Sequence, residues 1–218
     1  MSRPIVTSVT LAAAVSNGVA QTQSLGSAGA LVLNGSLASG GVATFDAPRR
    51  VIITSAGDDS GITWTITGPG RSQSTGQTPP TITETIQGAN GIATSTQDFS
   101  GITSIVGSGA TASTVTAGTS ATGSGPWVVW SEFQTDFQVQ IDGFVLSGSP
   151  TWQVDYTPDD VFGTWLPPNV PFPRAIAVAA LTGKTGTASG ALTTPVRATR
   201  LTLTVVGGVQ LTQTQVGA

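Results

Sequence analysis

In the run Ile62-Thr63-Trp64-Thr65-Ile66-Thr67 every apolar side chain falls on one parity and every threonine on the other. Only an extended strand, whose successive side chains point to opposite faces, turns that order into one dry surface and one wet one. Apolar spacing of this kind marks strands again at residues 51–55, 81–86, 102–106, 137–141, 151–156, 201–205 and 209–214. No segment carries a 3.6-residue apolar stripe, and Thr, Val, Ile and Gly crowd out the straight-chain helix formers. The chain is therefore read as all-β, with half-buried strands of the kind found in sandwiches and barrels. Gly207-Gly208 is expected to turn the strand at 201–205 back into a final antiparallel one.

Aromatic content divides the chain. Before residue 117 there are only Phe45, Trp64 and Phe99; from Trp127 onward come Trp130, Phe133, Phe137, Phe144, Trp152, Tyr156, Phe162, Trp165 and Phe172. Between them lies Ala117-Gly-Thr-Ser-Ala-Thr-Gly-Ser-Gly125, small and polar like a flexible link. The expected organisation is two β-sandwich or jelly-roll-like domains, at 46–118 and 126–218, behind an extended N-terminal arm at 1–45 with one or two short strands. Residues 12–40 of that arm are rich in Ala, Gly and Ser and hold too few apolar side chains to build a core of their own. The apolar stretch after Pro4 has the look of a leader, but Thr7, Ser8 and Thr10 interrupt it.

The missing residue types bear on chemistry. With no His and no Cys, the usual nucleophile–base pairs, thiolate metal sites and disulfides are excluded, and no cofactor or metal is expected. A formal charge of −3, with eight scattered basic residues, argues against direct contact with nucleic acid. No apolar run approaches the roughly 18 residues of a membrane span. With charged residues at only 9%, the chain is expected to bury surface against partners, as a homo-oligomer or within a larger assembly.

Carboxylates are what remains. Asp136 and Asp155 lie near strand ends and are the pair a hydrolase would have to use, against the plainer reading of solvated strand-end groups. Asp155-Tyr156-Thr157-Pro158-Asp159-Asp160 is the densest acidic stretch, a calcium loop in its ligand types but not in their spacing. Pro158-Asp159 reads instead as a turn leaving a strand. Asp58-Asp59-Ser60-Gly61-Ile62-Thr63 is echoed by Asp98-Phe99-Ser100-Gly101-Ile102-Thr103, read as two copies of one turn before a strand. Trp127, Trp130, Trp165 and Phe172 are the candidate core or assembly anchors; exposed Trp rings would instead stack on sugars. Pro167, Pro168, Pro171 and Pro173 favour a stiff, extended path beside Trp165.

The segment from Pro48-Arg49-Arg50-Val51 through Asp58-Asp59-Ser60-Gly61-Ile62-Thr63-Trp64 to Gly68 resembles virion structural proteins of tailed phages. The resemblance continues through Thr83-Glu84-Thr85-Ile86-Gln87-Gly88-Ala89-Asn90, Ser95-Thr96-Gln97-Asp98-Phe99, Gly125-Pro126-Trp127-Val128 and Pro195-Val196-Arg197-Ala198-Thr199-Arg200-Leu201, about two thirds of the chain in all. Residues 71–80 are longer than the hairpin expected there. The resemblance implies a non-enzymatic particle component made in the host cytoplasm. Its partners would be the major capsid protein or other virion proteins, and its place the capsid surface, the head–tail connector or the tail. It carries no catalytic residues to assign.

Overall fold

The computed structural model describes residues 4–71, 80–131, 136–162 and 173–216. Among them the chain is all-β and antiparallel. In order the strands are β1 (Ile5–Leu11), β2 (Ala20–Gln23), β3 (Gly29–Ala30), β4 (Ala38–Ser39), β5 (Val42–Asp58), β6 (Thr63–Pro69), β7 (Thr81–Gln87), β8 (Asn90–Thr94) and β9 (Phe99–Ile102). They continue as β10 (Ser104–Gly107), β11 (Val115–Ser124), β12 (Val128–Val129), β13 (Gln138–Gly148), β14 (Trp152–Thr157), β15 (Ile176–Ala177), β16 (Ala188–Leu192), β17 (Ala198–Leu203) and β18 (Gly207–Val216). A single 3-10 turn spans Ala179–Leu181, and no helix among the described residues is long and apolar enough to cross a membrane. The described residues fall into two compact units, 13–71 with 80–123, and 4–12 with 124–216.

In the first unit, β6 keeps the parity that its sequence dictates. Trp64 and Ile66 are fully buried, while Thr65 and Thr67 meet Thr85 and Thr83 of β7 through hydroxyl–hydroxyl bonds of 3.3 and 3.1 Å on the wet face. The sheet β3-β10-β6-β7 turns these side chains toward a second set of strands, in which β5 pairs with β4, β8, β9 and β11. Val51, Ile53, Ala93, Phe99, Ile102, Val115 and Ala117 complete one core with Trp64, Ile66, Ile86 and Ile105. The apparent strand at 102–106 is in fact two: β9 ends on Ile102 in one sheet and β10 begins at Ser104 in the other, so Ile102 and Ile105 both point inward.

Several expectations need correction. The stretch 117–125 is no flexible link; through Ser124 it is β11, paired with β5. Its small residues serve packing: a Cβ on Gly118 would overlap the carbonyl oxygen of Val15. Residues 13–40 do not form a free arm, since Val19, Ala20 and Leu31 fill the core just described. Too few to build an interior, they still complete one. The two Asp-containing echoes also differ. Asp58 accepts the Ser60 amide at 3.0 Å in a true turn, whereas Asp98 is buried, ion-paired with Arg71, and leads directly into β9.

The second unit holds the sheet β1-β18-β13-β16 and a group in which β17 pairs with β12 and β14, and β14 with β15. β17 and β18 are consecutive but not a hairpin. β17 ends at Leu203, the chain bends through 204–206, and β18 pairs with β1 and β13 instead. Alternation records which way a side chain faces, not which strand lies alongside. Gly143 of β13 leaves room for the Trp152 ring of β14, into which any Cβ there would project.

Gly118→Ala is expected to destabilise the protein by about 1–3 kcal/mol through overpacking against backbone that cannot yield. Gly26→Ala, with nothing within 4 Å of the added carbon, should be near neutral in the same urea melts.

Candidate functional site

The described half of the aromatic cluster converges on β17. All six residues of this strand are buried, so it has two dry faces. On one, Leu201 and Leu203 join the unit's apolar interior, and Thr199 ties it to polar groups. The Trp130 indole donates to the Thr199 hydroxyl at 2.8 Å, and that hydroxyl donates to the Gln213 side-chain carbonyl at 2.6 Å. The Trp130 amide also donates to the Arg197 carbonyl at 3.0 Å, which seats the ring at the end of the short β12–β17 ladder.

The other face of β17 carries Ala198, Arg200 and Thr202. Trp127, Val161 and Ala198 form a small apolar cluster with Val129 against it. Arg200 sits directly opposite Asp155 of β14, and its guanidinium lies 4.7 Å from the centroid of the Trp127 ring. The Arg200 Nε donates to Asp155 Oδ2 at 3.0 Å, and the Thr202 hydroxyl donates to the same oxygen at 2.7 Å. The Gln153 amide donates to Oδ1 at 2.6 Å. Asp155 is 3% exposed, so its charge is offset by an opposite charge and hydrogen bonds rather than by water. The guanidinium over an aromatic face adds a cation–π attraction.

Further along the acidic stretch, Asp159 is buried while Arg174 stands half in solvent. Arg174 grips Asp159 three times, by Nε at 2.8 Å, Nη2 at 2.6 Å and its backbone amide at 2.8 Å. The hydrogen bonds from the Arg174 guanidinium hold the Asp159 carboxyl below the ordinary carboxylate range, and Asp159 in turn raises Arg174. The oxygens of the calcium-like stretch at Asp155 and Asp159 are thus engaged by arginines. Asp136 is exposed, whereas Asp155 is buried with both carboxylate oxygens accepting hydrogen bonds.

Trp127 and Trp130 are 3% and 5% exposed, which places both rings inside the unit rather than on its surface. Trp165 and Phe172 lie outside the described residues. Sequence reading missed Arg200, Thr199, Gln213 and Arg174. Arg200 stands at every second position with Ala198 and Thr202, and the Trp127 ring lies over it while Asp155 pairs with it from β14. What the arrangement does chemically is hold register: a charged pair, an aromatic lid and a hydroxyl relay lock β12, β14 and β17 together.

Arg200→Ala should cost about 3–5 kcal/mol because it strands the Asp155 charge, while Arg200→Met combined with Asp155→Leu should cost much less. Urea denaturation of the three proteins checks this. The folded Asp159 is depressed, so its stabilisation is complete above the unfolded carboxylate value and fades as pH falls through the lower folded one. Asp159→Asn should therefore melt below the parent at neutral pH and converge with it in acid.

No family model matches this sequence, no curated protein matches it, and no solved structure matches the fold.

Proposed function

We propose that this chain is a non-enzymatic structural protein of a tailed-phage particle, and specifically a decoration or cement protein bound outside the capsid lattice. The observation that carries the reading is the outer face of β1-β18-β13-β16. Its outward positions include Val6, Ser8 and Thr10 on β1, Gln210 and Thr212 on β18, and Gln140, Asp142, Phe144 and Leu146 on β13. Val6, Phe144 and Leu146 are 54%, 50% and 53% exposed, and Asp142 is the sole charge on this face among the described residues. A broad, weakly charged surface with protruding apolar side chains suits contact with protein. The family resemblance supplies the particle as the place where that contact is made.

On this reading the two units are sandwich-type, jelly-roll-like domains that bridge neighbouring copies of the major capsid protein. Many modest contacts, repeated over the shell, add by avidity against the pressure of packaged DNA. The buried hydrogen-bond networks of each unit keep its outer faces rigid. A sugar-stacking role for Trp127 and Trp130 is disfavoured by the burial of both rings.

Quantitative mass spectrometry of purified particles, with the major capsid protein as internal standard, tests the proposal. Near-stoichiometric abundance is expected. About a dozen copies, the scale of a closed cyclic ring, would move the protein to the connector or tail. Absence from the particle would overturn the virion reading altogether.

A further inference from the structure

Sheet edges expose backbone donors and acceptors that will pair with any strand offered, so proteins guard them. Among the described residues, two seven-residue edge strands are treated differently. β7, at the edge of its sheet, reads Thr-Ile-Thr-Glu-Thr-Ile-Gln and turns Glu84 inward. That carboxylate is buried and accepts the Thr96 amide at 2.7 Å, the Thr96 hydroxyl at 2.6 Å and the Gln97 amide at 3.0 Å. An inward charge is a standard edge guard. β1 reads Ile-Val-Thr-Ser-Val-Thr-Leu, with no charge and no proline within the strand. Its seven pairs with β18 run without a register shift. Among the described residues it is paired on that side alone.

An alternating strand can pair antiparallel with a copy of itself with its faces matched, and β1 meets the further condition that it carries no charge to oppose its own. Thr7, Val9 and Leu11 face inward, and Val6, Ser8 and Thr10 face outward. An antiparallel match over all seven residues has its two-fold axis at Ser8. It sets Val6 opposite Thr10, Ser8 opposite itself, Thr7 opposite Val9 and Ile5 opposite Leu11, so inward residues meet inward ones throughout. Charge permits the same match. Among the described residues the nearest outward charge, Asp142, lies two strands in on β13. Two symmetry-related copies of it would be about 24 Å apart at the usual strand spacing, well beyond the roughly 8 Å screening length of physiological salt.

We propose that β1 is an interaction edge whose partner is β1 of a second copy, joining two four-stranded sheets into one across a two-fold axis. Such a contact is isologous and closes at two chains. It does not depend on the virion reading, because the purified chain alone is enough to test it.

The chain has no native cysteine, so Ser8→Cys places a single thiol on the proposed axis. Directly opposed residues on antiparallel strands lie about 4.5–5.5 Å apart at Cβ, close enough for a modest shift to allow a disulfide. Ser189→Cys, also exposed but on β16 at the other edge of the sheet, is the control. The expected result is a dimer by light scattering for the parent protein, and mild oxidation that converts Ser8→Cys, but not Ser189→Cys, largely to a disulfide-linked dimer. Circular dichroism that matches the parent confirms that both variants fold. A monomer at high micromolar concentration, or Ser8→Cys cross-linking no faster than Ser189→Cys, would overturn the proposal and leave the edge to a different protein's strand.

Discussion

Arg200 is held between Asp155, its direct partner on β14, and the face of Trp127, which comes in beside β12. The second unit is organised around that contact. β17 lies between β12 and β14, and burial of both its faces is tolerable only if its one charged side chain is neutralised where it stands. Once it is, Thr199 on the opposite face can connect Trp130 to Gln213 and so link β17 to the strand that pairs with β1. A pair of charges in a dry setting is weak evidence of added stability. It is better evidence of specificity, because any other register of β14 on β17 would leave both charges unmatched.

The first unit solves the same problem with different parts. Arg49 is 1% exposed and lies at the bend of the long β5, where it takes both oxygens of Asp46 at 2.6 Å. It also donates to the Ser120 carbonyl at 3.2 Å, where the pairing of β11 with β5 shifts register. Asp59 is buried without an arginine in these contacts, and accepts the Ser55 hydroxyl at 2.5 Å and the Ala112 amide at 2.7 Å. In a chain with so few charges, nearly every buried one is used to pin a bend, a bulge or a loop to a strand.

How much of this was legible in the sequence depends on the range of the interaction involved. Trp64 and Ile66 could be assigned to one face and Thr65 and Thr67 to the other because side-chain parity is a property of neighbouring residues. The aromatic cluster around Trp127 and Trp130 was visible as composition, but whether those rings formed a core, an interface or a sugar platform was not. Their burial depends on β17, about seventy residues away, which no local pattern names. Arg200 was missed for the same reason, since nothing in its local sequence names Asp155 or the Trp127 ring as its neighbours. Residues 12–40 looked coreless because a core was sought within them, when Val19 and Leu31 instead complete one built by β5, β6 and β10.

The sequence by itself determined that this protein is made of strands, which side chains share a face in runs such as β6, and that histidine and cysteine chemistry is closed to it. These follow from residue type and nearest-neighbour geometry. Only the tertiary structure decided that β1 and β18 are partners although they stand at opposite ends of the chain. It also decided that the small residues of β11 are packed backbone rather than a hinge, and that Asp155 and Asp159 are each bonded by an arginine. Strand pairing uses backbone groups that every residue carries, so side-chain order restricts the register of a pair while leaving its identity to the fold.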